Sequence, residues 1–233
     1  MSESHFFESL ENHFNQKLPF VCFAKHHSLK AYLQKDITVH KVEYFKEPGF
    51  VFCPFSSSHQ QLIFPENQSE ILTSTLEAKA IESQSISFSD SVNDKQKHID
   101  LVSKAIKTIQ NSDIQKIVCS RKIKVGKSIN PLETFKKLAL KYPDAFSYCW
   151  YHPQIGLWLG ATPEQLLHFE RNTLQTVALA GTINALEQSN PKWSSKEIDE
   201  QQMVVDYIVS GLKKYSGNIN IQDRESIRAG NLW

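Results

Sequence analysis

The sequence predicts a mixed fold of helices and sheets, α+β or α/β. Three observations predict it. From Asp94 onward, segments with apolar residues three and four apart alternate with short apolar runs of strand character. Hydrophobic residues make up 40% of the 233 and aromatics 11%, enough to bury a core and too many for a disordered chain. Gly and Pro number 8 and 9, which excludes collagen-like and linker-like chains. At roughly 150 residues per domain, the length fits one large domain or two small ones.

The first 95 residues carry the weaker patterns. Phe6 to Leu18 has a helical spacing, and Phe20–Ala24 and Gly49–Phe55 read as short buried strands rich in aromatic and branched residues. Between about 80 and 95 the chain turns polar, with Ser83, Ser85, Ser87, Ser89, Ser91, Asn93 and Asp94, and reads as a linker or exposed loop. Beyond it, Ile99, Val102, Ile106 and Ile109 predict an amphipathic helix ending near Asn111-Ser112. Ile114 to Val125 reads as a strand. Asn130-Pro131-Leu132-Glu133 is a helix start, with Asn130 as cap and Pro131 in the first turn. Phe146–Tyr151 and Gly156–Gly160 read as two strands joined by a turn at His152-Pro153-Gln154. Leu174–Leu179 reads as another strand, and Ser194 to Tyr215 as a helix with Val204, Ile208 and Leu212 on one face.

Composition narrows the function classes. Lys and Arg total 26 against 25 Asp and Glu, so the formal charge is +1. Such a balance gives no global field for nucleic acid or an anionic membrane, and any anion site has to be local. The four cysteines, Cys22, Cys53, Cys119 and Cys149, form no CxxC pair, which excludes the usual zinc and redox motifs. No apolar stretch approaches the roughly 18 residues of a membrane span, and the N-terminus lacks the basic and apolar regions of a signal peptide. A cytoplasmic protein with reduced thiols is expected. Gly126-Lys127-Ser128 has the end of a phosphate-binding loop, but Arg121 stands where that motif needs glycine.

Four segments carry chemistry. In Gln115–Arg121, Lys116 and Arg121 bracket an apolar strand; as an edge strand these cations would simply keep it soluble. Gly160-Ala161-Thr162-Pro163-Glu164 builds a fixed turn that presents Glu164, or a helix start capped by Thr162. In Thr176–Thr182 a buried strand ends at Gly181 and Thr182, where free amides and a hydroxyl suit a carboxylate ligand. In Lys196–Gln202, Glu197 and Glu200 share a helix face, and Glu200 borders the apolar stripe. A carboxylate there suits a hard cation such as Mg²⁺, although a solvated charged first turn has the same pattern.

Taken in order, these four segments resemble the chorismate-binding enzymes, and among them the isochorismate synthases of the menaquinone and siderophore pathways. The resemblance is specific from about residue 96 onward. It implies the α+β chorismate-utilising fold, with mixed sheets and helices packed outside. Residues 1–95 would be the variable N-terminal region, and 96–233 the N-terminal part of the catalytic domain. It implies that Lys116 activates the attacking water, that Glu164 protonates the departing hydroxyl, and that Gly181 and Thr182 line the chorismate pocket. Glu200 would ligate Mg²⁺, with Glu197 as a second candidate. Asp199-Glu200-Gln201 departs from the family's common Glu-His pairing.

The chemistry explains those residue types. Water adds at C2 of chorismate as the C4 hydroxyl leaves and the double bonds shift, so a base and an acid must face opposite sides of the ring. Salicylate synthase, which adds pyruvate elimination, is the nearest rival activity. Relative to the family, a His-Pro-Thr-Pro-Ala-like segment, a substrate arginine and a second Mg²⁺ glutamate are not found in these 233 residues. The chain alone is therefore expected to be inactive, an inert or partner-binding fragment. Self-association through uncovered edges is expected as well.

Overall fold

The aromatic run beginning at Phe20 becomes the middle strand of a five-stranded antiparallel sheet. The computed structural model describes residues 1–78, 92–126, 128–215 and 217–233. In chain order the elements are α1 (Glu3–Asn15), β1 (Phe20–Lys25), β2 (Ser28–Gln34), β3 (Gly49–Phe52), β4 (Leu62–Pro65), β5 (Ser69–Thr75), α2 (Val92–Gln110), α3 (Pro131–Lys141), β6 (Phe146–His152), β7 (Gly156–Thr162), β8 (His168–Glu170), β9 (Thr173–Gln175) and α4 (Ser195–Leu212). Among the described residues, four helices with antiparallel sheets make an α+β fold. Two compact units result, Met1–Ile81 with Ile129–Val177, and Glu82–Ser128 with Ala178–Trp233. Most of the polar stretch read as a linker, residues 80–91, lies outside the described residues. Among the described residues no helix is long and apolar enough to cross a membrane.

In the first unit the strand order is β5-β2-β1-β6-β7. Successive side chains of a strand point to opposite faces, so β1 can feed two cores. Phe20, Cys22 and Ala24 pack with Phe6 and Leu10 of α1 and with Leu132, Phe135 and Ala139 of α3. Val21 joins Tyr32, Phe64 and Trp150 on the other face, with Phe50 and Phe52 of the β3–β4 hairpin closing over them. Burial on both faces is why β1 reads in the sequence as an unbroken apolar run. Each fully buried Phe or Leu stabilises the fold by about 1.5–3 kcal/mol relative to exposure.

Local signals set the element ends. Asn130 Oδ1 accepts from the Leu132 amide at 3.0 Å and the Glu133 amide at 3.1 Å, so α3 is capped where expected. The β6–β7 turn closes through Ile155 N–H to His152 C=O at 3.0 Å. Strands β2, β4, β5 and β8 carry weak apolar alternation and were not expected from the sequence. In α2 the half-buried stripe is His98, Val102, Ala105 and Ile109, while Ile99 and Ile106 are exposed; the buried face is rotated from the one expected.

Two expected strands differ. Ile114 to Val125 has no regular secondary structure and joins no ladder among the described residues, and of the expected strand Leu174–Leu179 only Leu174 and Gln175 pair, in β9 against β8. Apolar content alone does not make a strand; the ladder needs a partner for every exposed N–H and C=O. Without one, Val118 is 82% exposed.

Candidate functional site

The site is built on the first two turns of α4, in the second unit. Ser194 and Glu197 form a capping box: the Ser194 amide donates to Glu197 Oε2 at 3.1 Å, and the Ser194 hydroxyl donates to the same oxygen. The Ser194 hydroxyl, then its amide, hold the Glu197 carboxyl below its ordinary range. Lys196 Nζ stands 3.6 Å from Glu197 Oε1. Glu197 is thereby committed to starting the helix.

One turn on, Glu200 points elsewhere. Lys116 Nζ donates to Glu200 Oε1 at 2.8 Å, across 84 positions of sequence. Both side chains are partly covered, Lys116 at 30% exposure and Glu200 at 35%. The segment around Lys116 thus brings an ammonium directly to the carboxylate expected to hold a metal. A lysine in this state is an ion-pair partner with no lone pair to offer water.

The segment after β9 lies along the same helix. Gln201 Nε2 donates to Ala178 C=O at 3.3 Å, and Gln201 Oε1 is buried without a hydrogen-bond partner. Gly181 has φ +82°, and a Cβ there would stand 3.3 Å from both Glu197 Cβ and the Glu197 carbonyl oxygen. Glycine is therefore favoured by the left-handed backbone, and a side chain there would also crowd the helix. Thr182 is exposed, and next to it Ile183 pairs with Trp233 through N–H···O bonds of 3.1 and 2.8 Å.

Glu164 sits in the first unit, on the turn that leaves β7. Its amide donates to Thr162 Oγ1 at 3.2 Å, and no helix starts there. Gly160 allows the strand before it to form, since a Cβ at that position would meet the Tyr148 hydroxyl at 2.9 Å. Glu164 itself is exposed.

Of the six residues expected from the sequence, Lys116 and Glu200 are in contact, and Gly181 packs on Glu197. Gln201 was seen only as a departure from a motif; its orphaned oxygen has no sequence signal. Among the described residues no group of three His, Cys, Asp or Glu could hold a metal ion by itself. Glu200 does suit one position of a Mg²⁺ shell, because it is an accessible hard-oxygen donor that already carries a cation. Mg²⁺ commonly keeps several waters and takes one or two carboxylates, with substrate oxygens completing the shell.

Comparison with known proteins decides the family. A model of chorismate-binding enzymes matches residues 51–231. The chain belongs to the chorismate-binding enzyme family. The match begins well before residue 96, so the end of β3 and all of β4 and β5 fall within it, although the motifs read from sequence lie later. The chain is similar to isochorismate synthase MenF of Haemophilus influenzae, 26% identical over 136 residues, covering 54% of this chain and 32% of that protein. It is also similar to anthranilate synthase component 1 of Lactococcus lactis subsp. lactis, 28% identical over 135 residues, covering 52% of this chain and 28% of that protein. The matched part spans about a third of the length of these curated relatives.

Proposed function

We propose that the protein acts on chorismate as an isochorismate synthase. The observation that carries this reading is the Lys116–Glu200 contact at 2.8 Å, which joins two of the four motifs read from the sequence. In the proposed reaction Lys116, once released from Glu200 and after giving its own proton to solvent, takes a proton as a neutral amine from the water that adds at C2. Glu164 gives a proton to the C4 hydroxyl as it departs. Gly181 and Thr182 offer backbone amides and a hydroxyl to a substrate carboxylate. Glu200 would hold Mg²⁺, which supplies charge stabilisation for the ring carboxylate. Glu197, committed to its cap, orients the helix that carries Glu200.

A second reading has its own support. Similarity to an anthranilate synthase component stands level with similarity to an isochorismate synthase. The same pair of roles, a base and an acid, serves a reaction with ammonia in place of water. The test is to incubate the full gene product with chorismate and Mg²⁺, with and without ammonium, and resolve the products chromatographically. Isochorismate in equal yield under both conditions is the expected result. Anthranilate that appears only with ammonium overturns the proposal in favour of the second reading, and salicylate with pyruvate would identify a salicylate synthase.

A further inference from the structure

We infer that Lys116 and a divalent cation are alternative occupants of the Glu200 carboxylate, so that loading the metal is the event that releases Lys116. The inference rests on the reading of Glu200 as metal ligand. Lys116 Nζ lies 2.8 Å from Glu200 Oε1, a full charge-assisted hydrogen bond. A Mg²⁺–oxygen bond is about 2.0–2.1 Å long. A metal ion on that oxygen would therefore stand within roughly 5 Å of the ammonium, where like charges repel. With a third of each side chain exposed, a hydrated ion can reach the carboxylate and the lysine stem can swing away. Glu197, the second candidate ligand, has its Oε2 engaged by Ser194, while its Oε1 stands 3.6 Å from Lys196 Nζ.

In the metal-free protein Lys116 is thus parked as a stand-in cation. It keeps Glu200 placed and is itself withheld from the substrate. Exchange of one cation for the other couples the two halves of the site: Glu200 gains its metal in the same step in which Lys116 Nζ becomes free. The chain needs no separate gate to keep the base idle while the metal is missing.

The test uses metal alone, without chorismate. Mg²⁺ binding to the full protein is measured by calorimetry, and Mn²⁺ binding by electron spin resonance, for the unaltered protein, Lys116→Met and Glu200→Gln. Methionine keeps the apolar stem and removes the charge. Lys116→Met should bind either ion about two- to fivefold more tightly, the scale of a partly exposed ion pair that no longer has to be broken. Glu200→Gln should not bind. In the unaltered protein, acylation of Lys116 read by mass spectrometry should rise as Mg²⁺ is added, a readout that does not depend on how the variants fold. Equal or weaker metal binding by Lys116→Met, no binding by either protein, or labelling of Lys116 that Mg²⁺ leaves unchanged would each overturn the inference. The product assay is separate. An enzyme that makes isochorismate while binding metal and Lys116 side by side on Glu200 keeps the proposed reaction and loses this exchange, and an exchange seen in a protein that makes no isochorismate does the reverse.

Discussion

His152 shows how one side chain can set a pH response. It is 3% exposed; its Nδ1 accepts from the Gln154 amide at 3.2 Å, and its Nε2 is buried without a partner. Burial lowers its pKa from the ordinary 6.5. His13, which contacts the Pro19 carbonyl at 3.0 Å, is lowered for the same first reason. The unfolded chain binds these protons more readily than the folded one. Stability is therefore full above about pH 6.5 and falls as pH drops through that value towards the lowered folded values. Thermal melts between pH 7.5 and 5 should show this loss, and His152→Gln should flatten it; an equal slope in the variant would assign the response to other groups. Gly181 gives a second prediction at this scale. At φ +82°, Gly181→Ala should cost about 1–3 kcal/mol, read as a lower denaturant midpoint, because the new methyl group meets Glu197 as well as a strained backbone.

Elements were legible where one local cause decided them. Asn130 and Pro131 announce α3, and the structure caps it through two amides on Asn130 Oδ1. Asn130→Ala should lower stability by about 1 kcal/mol, measured by chemical denaturation; a neutral result would mean that packing of Leu132 and Phe135 sets the helix without its cap. β1 was legible because both of its faces are buried, and β6–β7 because aromatic runs flank a turn. β2 and β5 were not. They pair along seven residues, but Lys30, Gln34, Glu70 and Thr73 break the apolar pattern, and Gln34 is buried only because its amide reaches the Asp36 and Thr38 carbonyls. Lys116, Glu164, Gly181 and Glu200 were legible as motifs, whereas the contact between Lys116 and Glu200 joins residues 84 apart, which no local period reveals. Ile114 to Val125 failed in the opposite sense: its side chains fit a strand, but pairing is a property of two segments.

At the scale of the molecule the two units differ in how they hold themselves together. The unit of Met1–Ile81 and Ile129–Val177 contains both buried hydrophobic clusters. In the other unit Ala185 is the one buried hydrophobic residue among those described, while Ile114, Ile117, Val118, Ile123, Val125, Leu179 and Tyr207 are exposed. Local opening free energy follows buried contact and paired backbone, so the two units should open at different costs. Hydrogen exchange read by mass spectrometry should show the slowest amides in β1, β2 and β6, each paired on both sides, and fast exchange over residues 114–126 and 176–182, which join no ladder. Apolar side chains left in water also favour association. The 233-residue chain should therefore show a scattering mass that rises with concentration, and cross-protection on association should slow residues 114–126 and leave β1 unchanged. Protection over 114–126 equal to that of β1 in a dilute, monodisperse sample would refute this picture, because it would require a partner for that segment within a single chain.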